Sequence, residues 1–413
     1  MKREELICQK SREIKKEVQR ELEGRLDIND DEVLKLIDDK IRLKNRQVSL
    51  LLSDKLSIRK DVFNAMRRLD VLQDLMDDAA VTEIMVNGMH SIFIEKGGAL
   101  YDTGRKFDSK ERLSDIIQQI VAGANRTVNA ASPIVDARLK DGSRVNVVLE
   151  PIAVNGPILT IRRFPKVPID GTSLIALGSV NEEVLSFLRD LVKARYNILI
   201  SGGTGAGKTT FLNVLSGYIP DSERIITIED SAELIIQGIN NLVSLEARNA
   251  NVEGCNAITI RDLIKTALRM RPDRVIVGEV RGSESIDMLQ AMNVGQDGSM
   301  STIHANSAHD ALSRLETMMM LHTEIPISAL RRQMASGIDI IIHLSRLRDR
   351  SRRLMEIREI TGCENGEIIT SPIYRFEEKE EIKGRVYGEI RKVNDLVHKD
   401  KLRRAGLRVT DEV

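Results

Sequence analysis

Apolar positions recur at two periods along this chain, and the switches between them divide it. In residues 1–57, Val33, Leu34, Ile37 and Ile41 repeat at the spacing of one helix face. Asn29, Asp30 and Asp31 stand just before them as helix caps. This predicts a segment of amphipathic helices, either a packing appendage or a docking module. In residues 58–165 the pattern mixes. Phe63, Met66, Leu69 and Leu72 are spaced for a helix, and Glu83–Val86 reads as a strand before the turn pair Asn87-Gly88. Ser91–Glu95 and Ala99–Tyr101 flank Gly97-Gly98, a hairpin signal. Leu113, Ile116, Ile117, Ile120 and Val121 mark an amphipathic helix. Asp136–Leu139 and Arg144–Leu149 flank Asp141-Gly142 as a second hairpin, and Ile158–Phe164 is one more strand. Strands joined mostly by hairpins, with helices between, predict an α+β domain.

Residues 166–171 hold Pro168 and Gly171 and read as a linker. From residue 172 to 413 strands alternate with helices, which predicts an α/β domain on a mostly parallel sheet. From about Leu347 the chain is highly charged and hairpin-like.

Composition narrows the reading. The chain has 413 residues, enough for two or three domains. Lys+Arg equals Asp+Glu, 62 against 62, so bulk charge does not favour coating by nucleic acid. Aromatic residues are 3% and Trp is absent, which weighs against stacking platforms for single strands. Cys8, Cys255 and Cys363 lie far apart, without the paired spacing of a zinc or redox site. The charged start and the lack of any apolar run near ~18–20 residues predict a cytoplasmic protein whose membrane contact is peripheral.

The sharpest motif follows the short apolar strand Asn197–Ser201. Gly202-Gly203-Thr204-Gly205-Ala206-Gly207-Lys208-Thr209 fits GxxxxGK[ST], and Thr210, Phe211 and Leu212 continue it as a helix. Such a loop turns backbone N–H groups inward around phosphates. Lys208 is expected to reach the β- and γ-phosphates of ATP, and the Thr209 hydroxyl to bind Mg²⁺. Two strand ends offer the acids this chemistry needs. Val275-Ile276-Val277 runs into Gly278-Glu279, and Ile225–Ile228 runs into Glu229-Asp230. One carboxylate can polarise the attacking water while the other holds the magnesium shell. Thr302, His304 and Asn306 alternate on a Gly-rich strand, which suits a sensor of the γ-phosphate. Arg144, Arg162 and Arg163 lie on strands of the middle domain and are candidates for an arginine finger. Arg346, Arg348, Arg350, Arg352 and Arg353 form a basic cluster that reads as a solvated hairpin tip.

In their order, these segments resemble the secretion ATPase superfamily of type II secretion, type IV pili and type IV secretion. Within it the chain looks most like the CpaF family of tight-adherence (Flp) pilus ATPases. The resemblance runs from about Arg59 to Leu407. It rests on DGSRVN at Asp141–Asn146, LTIRRF at Leu159–Phe164, SGGTGAGKTT at Ser201–Thr210 and TIEDSAEL at Thr227–Leu234. It continues through Thr259–Gly282, with VIVGEVRG, and Ser301–Met318, with STIHANSAHDAL. Gln296 stands where the family commonly has the first His of its His box, so that position hydrogen-bonds but does not titrate.

The resemblance implies a homohexameric ring whose subunit joins a PAS-like N-terminal domain to a RecA-like P-loop ATPase domain. It implies Glu229 as the acid of the Asp box, Glu279 as the Walker B acid and magnesium ligand, partly through water, and His304 as the His-box sensor. It strengthens the finger role for Arg144, Arg162 and Arg163 without choosing among them. The expected partners are inner-membrane platform proteins of a pilus or secretion machine. A nucleic-acid motor and a nucleotide-ordered interaction protein are the other classes weighed.

Overall fold

The computed structural model describes residues 3–23, 28–46, 48–163, 169–248 and 257–407. The chain forms two compact units, Met1–Lys166 and Val167–Val413.

The first unit begins with three helices, α1 (Arg3–Leu22), α2 (Asp30–Asn45) and α3 (Leu52–Arg67). Ile14 and Val18 of α1, Val33, Ile37 and Ile41 of α2, and Ile58 and Val62 of α3 form their shared core. Asn29 caps α2, its side chain accepting the Glu32 N–H at 2.9 Å. The helical spacing through Leu69 and Leu72 is not one helix. α3 ends at Arg67, Arg68 is extended, and a short 3₁₀ turn follows at Asp70–Leu72. Asp70 takes left-handed backbone at φ 52°. Its carboxylate, held by Lys15 at 3.1 Å and Arg112 at 2.7 Å, fixes the break.

After α4 (Gln73–Asp77) come β1 (Val81–Asn87), β2 (Ile92–Lys96), β3 (Ala99–Asp102), α5 (Lys110–Gly123), β4 (Ile134–Arg138), β5 (Arg144–Val148) and β6 (Ile158–Arg162). The strands pair antiparallel in the order β3-β2-β1-β6-β5-β4. Leu113, Ile116, Ile117 and Ile120 of α5 share a core with Ile84, Val86, Leu159 and Ile161 of the sheet. Of the expected linker, residues 166–168 lie outside the described residues, and Gly171 already opens a helix.

The second unit runs α6 (Gly171–Ala176), α7 (Glu182–Lys193), β7 (Ile198–Gly202), α8 (Lys208–Ser216), β8 (Arg224–Glu229), β9 (Asn241–Glu246), α9 (Ile260–Ala267), β10 (Arg274–Val280) and α10 (Glu284–Asn293). It continues through β11 (Met300–His304), α11 (Ala308–Met320), α12 (Ile327–Gly337), β12 (Ile340–Arg346), β13 (Arg352–Glu364), β14 (Glu367–Ile382), β15 (Arg385–Lys392) and α13 (Asp400–Arg404). Among the described residues, its strands order as β15-β14-β13-β12-β7-β11-β10-β8-β9. The six from β12 to β9 are parallel, and β13–β15 extend the sheet antiparallel. Two apolar clusters cover the sheet, one with α7 and α8, the other with α9–α12. This explains why β7, β8 and β10 read as continuous apolar runs rather than alternating ones.

One buried amide aligns the centre of this sheet. Asn197, 1% exposed, precedes β7. Its Oδ1 accepts the N–H groups of Gly298 and Ser299 at 2.8 and 3.0 Å, ahead of β11. Its Nδ2 donates to Gly337 O at 2.7 Å, ahead of β12, and to Met292 O at 3.3 Å. The side chain thus uses two acceptor and two donor positions. The tail is tied to the same end of the sheet. Lys401 of α13 pairs with Asp339 at 2.7 Å and Asp297 at 3.0 Å, and the 1%-exposed Glu359 accepts the N–H groups of Val397 and His398.

Candidate functional site

β7 ends at Gly202, and Gly203–Gly207 turn the chain into α8, whose first turn carries Lys208, Thr209 and Thr210. The turn needs glycine. Gly205 and Gly207 hold φ of 71° and 92°, backbone that side chains rarely adopt. Inside the loop, Lys208 Nζ and the Ala206 N–H both approach Gly203 O, at 3.2 and 3.3 Å. The lysine ammonium and one backbone N–H are thus held inside the loop on its own carbonyl.

Neighbouring strands bring acid and imidazole to the same place. β11 pairs with β7 so that His304 lies opposite Gly202. Lys208 Nζ is 3.3 Å from the His304 ring nitrogens. His304 Nε2 lies 2.8 Å from Glu279 Oε1 of β10, yet that buried oxygen accepts no well-aligned hydrogen bond among the described residues. Arg281 donates to the other oxygen, Oε2, at 2.7 Å and also lies 3.7 Å from Asp230. Partial burial, and then the Lys208 ammonium, hold the His304 pKa below the ordinary histidine value, against the pull of Glu279. Both influences favour the neutral imidazole. Hard oxygen donors suit Mg²⁺, and the Glu279 carboxylate, linked to Lys208 through His304, is a donor of that kind.

Glu229, 4% exposed at the end of β8, is used differently. Its Oε1 accepts the N–H groups of Glu233 and Leu234 at 2.8 and 3.0 Å, holding the loop after the strand. It packs so tightly that a methyl on Gly278 would stand 2.9 Å from its Cγ. The structure thus joins Lys208, His304 and Glu279, with Glu229 behind Gly278. Thr302 faces the same strand, donating to Gly278 O at 2.7 Å. Among the described residues, the buried Gln296 Oε1 has no hydrogen-bond partner.

The three middle-domain arginines belong to the first unit. Arg144 and Arg162 stand directly opposite each other on β5 and β6, and Glu83 of β1 faces Arg162 from the other side. Arg163 donates to the carbonyls of Val81, at 3.0 Å, and Asp78, pinning the entry to β1.

The hairpin arginines Arg346, Arg348, Arg350 and Arg352 are solvent-exposed, as the sequence reading has it, and three of the cluster also make contacts that the reading did not foresee. Arg352 donates to Gly205 O in the phosphate loop at 2.8 Å, Arg353 to Gly178 O, and Arg348 pairs with Glu378 and Glu381. Arg346 lies beside Gly205 as well. Charge patterning missed this because the loop they touch is far away in sequence. For Arg281 a signal was present, its place two residues after Glu279.

Comparison with known proteins agrees with this architecture. Residues 66–400 match the family of Type II/IV secretion system proteins. A putative conjugal transfer protein of Mycobacterium tuberculosis is 35% identical over 300 residues, covering 71% of this chain and 85% of that one. The conjugal transfer protein TrbB of Rhizobium radiobacter is 33% identical over 317 residues, covering 75% and 93%. The type IV secretion system protein PtlH of Bordetella pertussis is 36% identical over 246 residues, covering 54% and 73%. Among solved structures, the Yersinia pseudotuberculosis ATPase DotB superposes with a TM-score of 0.53 at 16% identity, covering 70% of this chain and 77% of that one. The pilus retraction motor PilT with bound ADP gives 0.50 at 18% identity, covering 82% and 86%. The fold is the RecA-like ATPase fold seen in these neighbours, and the chain belongs to the Type II/IV secretion system protein family.

Proposed function

We propose that this protein is an ATP-hydrolysing motor of a membrane-associated secretion or pilus machine, working as a homohexameric ring. The observation that carries the reading is the convergence of the Lys208 ammonium and the Ala206 N–H inside a glycine loop, with Glu279 and His304 at hand. The glycine loop binds the β- and γ-phosphates, and Lys208 moves from Gly203 O to phosphate oxygen. Mg²⁺, held by the Thr209 hydroxyl and through Glu279, would neutralise phosphate charge. Glu279 orients the attacking water, since its Oε1 has no hydrogen bond among the described residues. Glu229 fixes the geometry by holding the 230–235 loop. His304 reports on the γ-phosphate through Lys208 and Glu279.

Arg144 and Arg162 are the finger candidates favoured here. A pair of guanidinium groups opposite each other on neighbouring strands suits the recognition of a phosphate. Arg163 is occupied with backbone carbonyls.

The test is phosphate release from ATP by the full chain. Lys208→Ala is expected to abolish turnover, and a wild-type rate in that variant overturns the assignment. For the machine, the motifs point to the tight-adherence pilus branch, while the conjugal transfer and type IV secretion relatives favour an export machine. Capture of partners with Glu279→Gln, expected to trap ATP, separates them. Platform proteins found with a small pilin support the pilus reading, and conjugation components support the other.

A further inference from the structure

Arg352 touches the phosphate loop on its outer side, and nothing in the proposed chemistry uses it. Its Nε donates to Gly205 O at 2.8 Å. Its stem runs along the loop, since a methyl on Gly207 would stand 3.3 Å from Arg352 Cδ. The contact is held from the protein side. Ser179 Oγ donates to Arg352 O at 2.8 Å, the Leu354 N–H donates to Ser179 O at 3.0 Å, and Arg353 donates to Gly178 O. The residues around Gly178 and Ser179 therefore form a bracket for the start of β13, and β13 presents Arg352 to the loop.

A trans peptide points its carbonyl and the following N–H in opposite directions. Holding Gly205 O outward turns the Ala206 N–H inward, where it approaches Gly203 O at 3.3 Å. With φ of 71° at Gly205 and 92° at Gly207, the loop has glycine freedom on both sides of that peptide. An external pin removes that freedom before ligand arrives, which raises affinity by sparing an ordering cost.

We propose that Arg352 is a positioning residue for the nucleotide phosphates, acting in the same subunit through the Gly205–Ala206 peptide. The inference rests on the nucleotide-binding reading above. It makes the start of β13 a brace that sets nucleotide affinity. The reacting atoms lie elsewhere, so Arg352 governs how tightly nucleotide is held and leaves the hydrolytic step alone.

The experiment uses the full chain in three variants, Arg352→Ala, Arg352→Lys and Arg348→Ala. The last removes a hairpin charge that pairs with Glu378 and Glu381. Amide hydrogen exchange of the nucleotide-free protein reads the loop peptide spanning residues 202–207. Calorimetry reads ADP binding, and steady-state kinetics separate KM from kcat. Loss of one charge-assisted hydrogen bond is expected to weaken ADP binding about tenfold, with faster loop exchange, a raised KM and little change in kcat. Arg352→Lys restores most of the affinity, because an ammonium still donates to Gly205 O, and it carries the test if the alanine variant does not fold. Arg348→Ala matches wild type. Wild-type loop exchange and ADP affinity in Arg352→Ala overturn the proposal, as does a lysine variant no better than alanine. If wild-type protein binds no ADP, the nucleotide reading itself fails, and the exchange data alone then decide the brace.

Discussion

Asp339 is a carboxylate placed where ionisation is costly. Burial raises its pKa above the ordinary carboxylate value, and the Lys401 ammonium at 2.7 Å and the Asn197 N–H at 2.7 Å pull the other way. A raised folded-state pKa gives stability that is complete below the ordinary carboxylate range and lost as pH rises through the raised value. Lys401 limits that loss. Lys401→Met should therefore cost about 2 kcal/mol at neutral pH, discounted for the partial exposure of the pair. The cost should shrink as pH falls and Asp339 takes up its proton. Urea unfolding of wild type and variant at several pH values checks the sign, and a cost that grows toward acid would exclude this account. At this scale the sequence was uneven. Lys208 and Glu279 were legible because each sits in a local strand-to-loop pattern. Arg352 was not, since its partner Gly205 lies 147 positions away and no local period encodes that contact.

Elements were more legible than their joints. The apolar runs at Ile198–Gly202, Arg224–Glu229 and Arg274–Val280 are strands because both sheet faces are covered, and the amphipathic run at Lys110–Gly123 is a helix with one face on its sheet. The expected helix through Leu72 failed at Asp70, where two cations distant in sequence, Lys15 and Arg112, fix a turned backbone. Asn197 likewise reads as an ordinary polar residue before a strand, yet its side chain connects the starts of β7, β11 and β12. Asn197→Asp keeps the shape but loses both donors and places charge against the Gly337 and Met292 carbonyls. It should destabilise the protein by more than about 3 kcal/mol, read from the urea midpoint. A shift within ordinary surface-substitution range would show that the four bonds do not act as a unit.

On the scale of the molecule, the division into Met1–Lys166 and Val167–Val413 gives each unit its own apolar core. ADP whose phosphates are held by the second unit should stabilise that unit by about 2.7 kcal/mol at a hundredfold excess over Kd, raising its melting transition more than that of the first. Differential scanning calorimetry with and without ADP tests this, and equal shifts in both transitions would contradict it. Within the second unit, Asn197 also acts as the zero of a ruler. From it β7, β11 and β12 climb in step, so that Gly202, His304 and Leu344 share one rung. Length is therefore a specification. One residue inserted in β11 would turn His304 to the opposite face, and two would restore the face but carry the ring about 7 Å past Lys208. Between Gly298 and His304 the chain can vary in composition, but it has no freedom to vary in count.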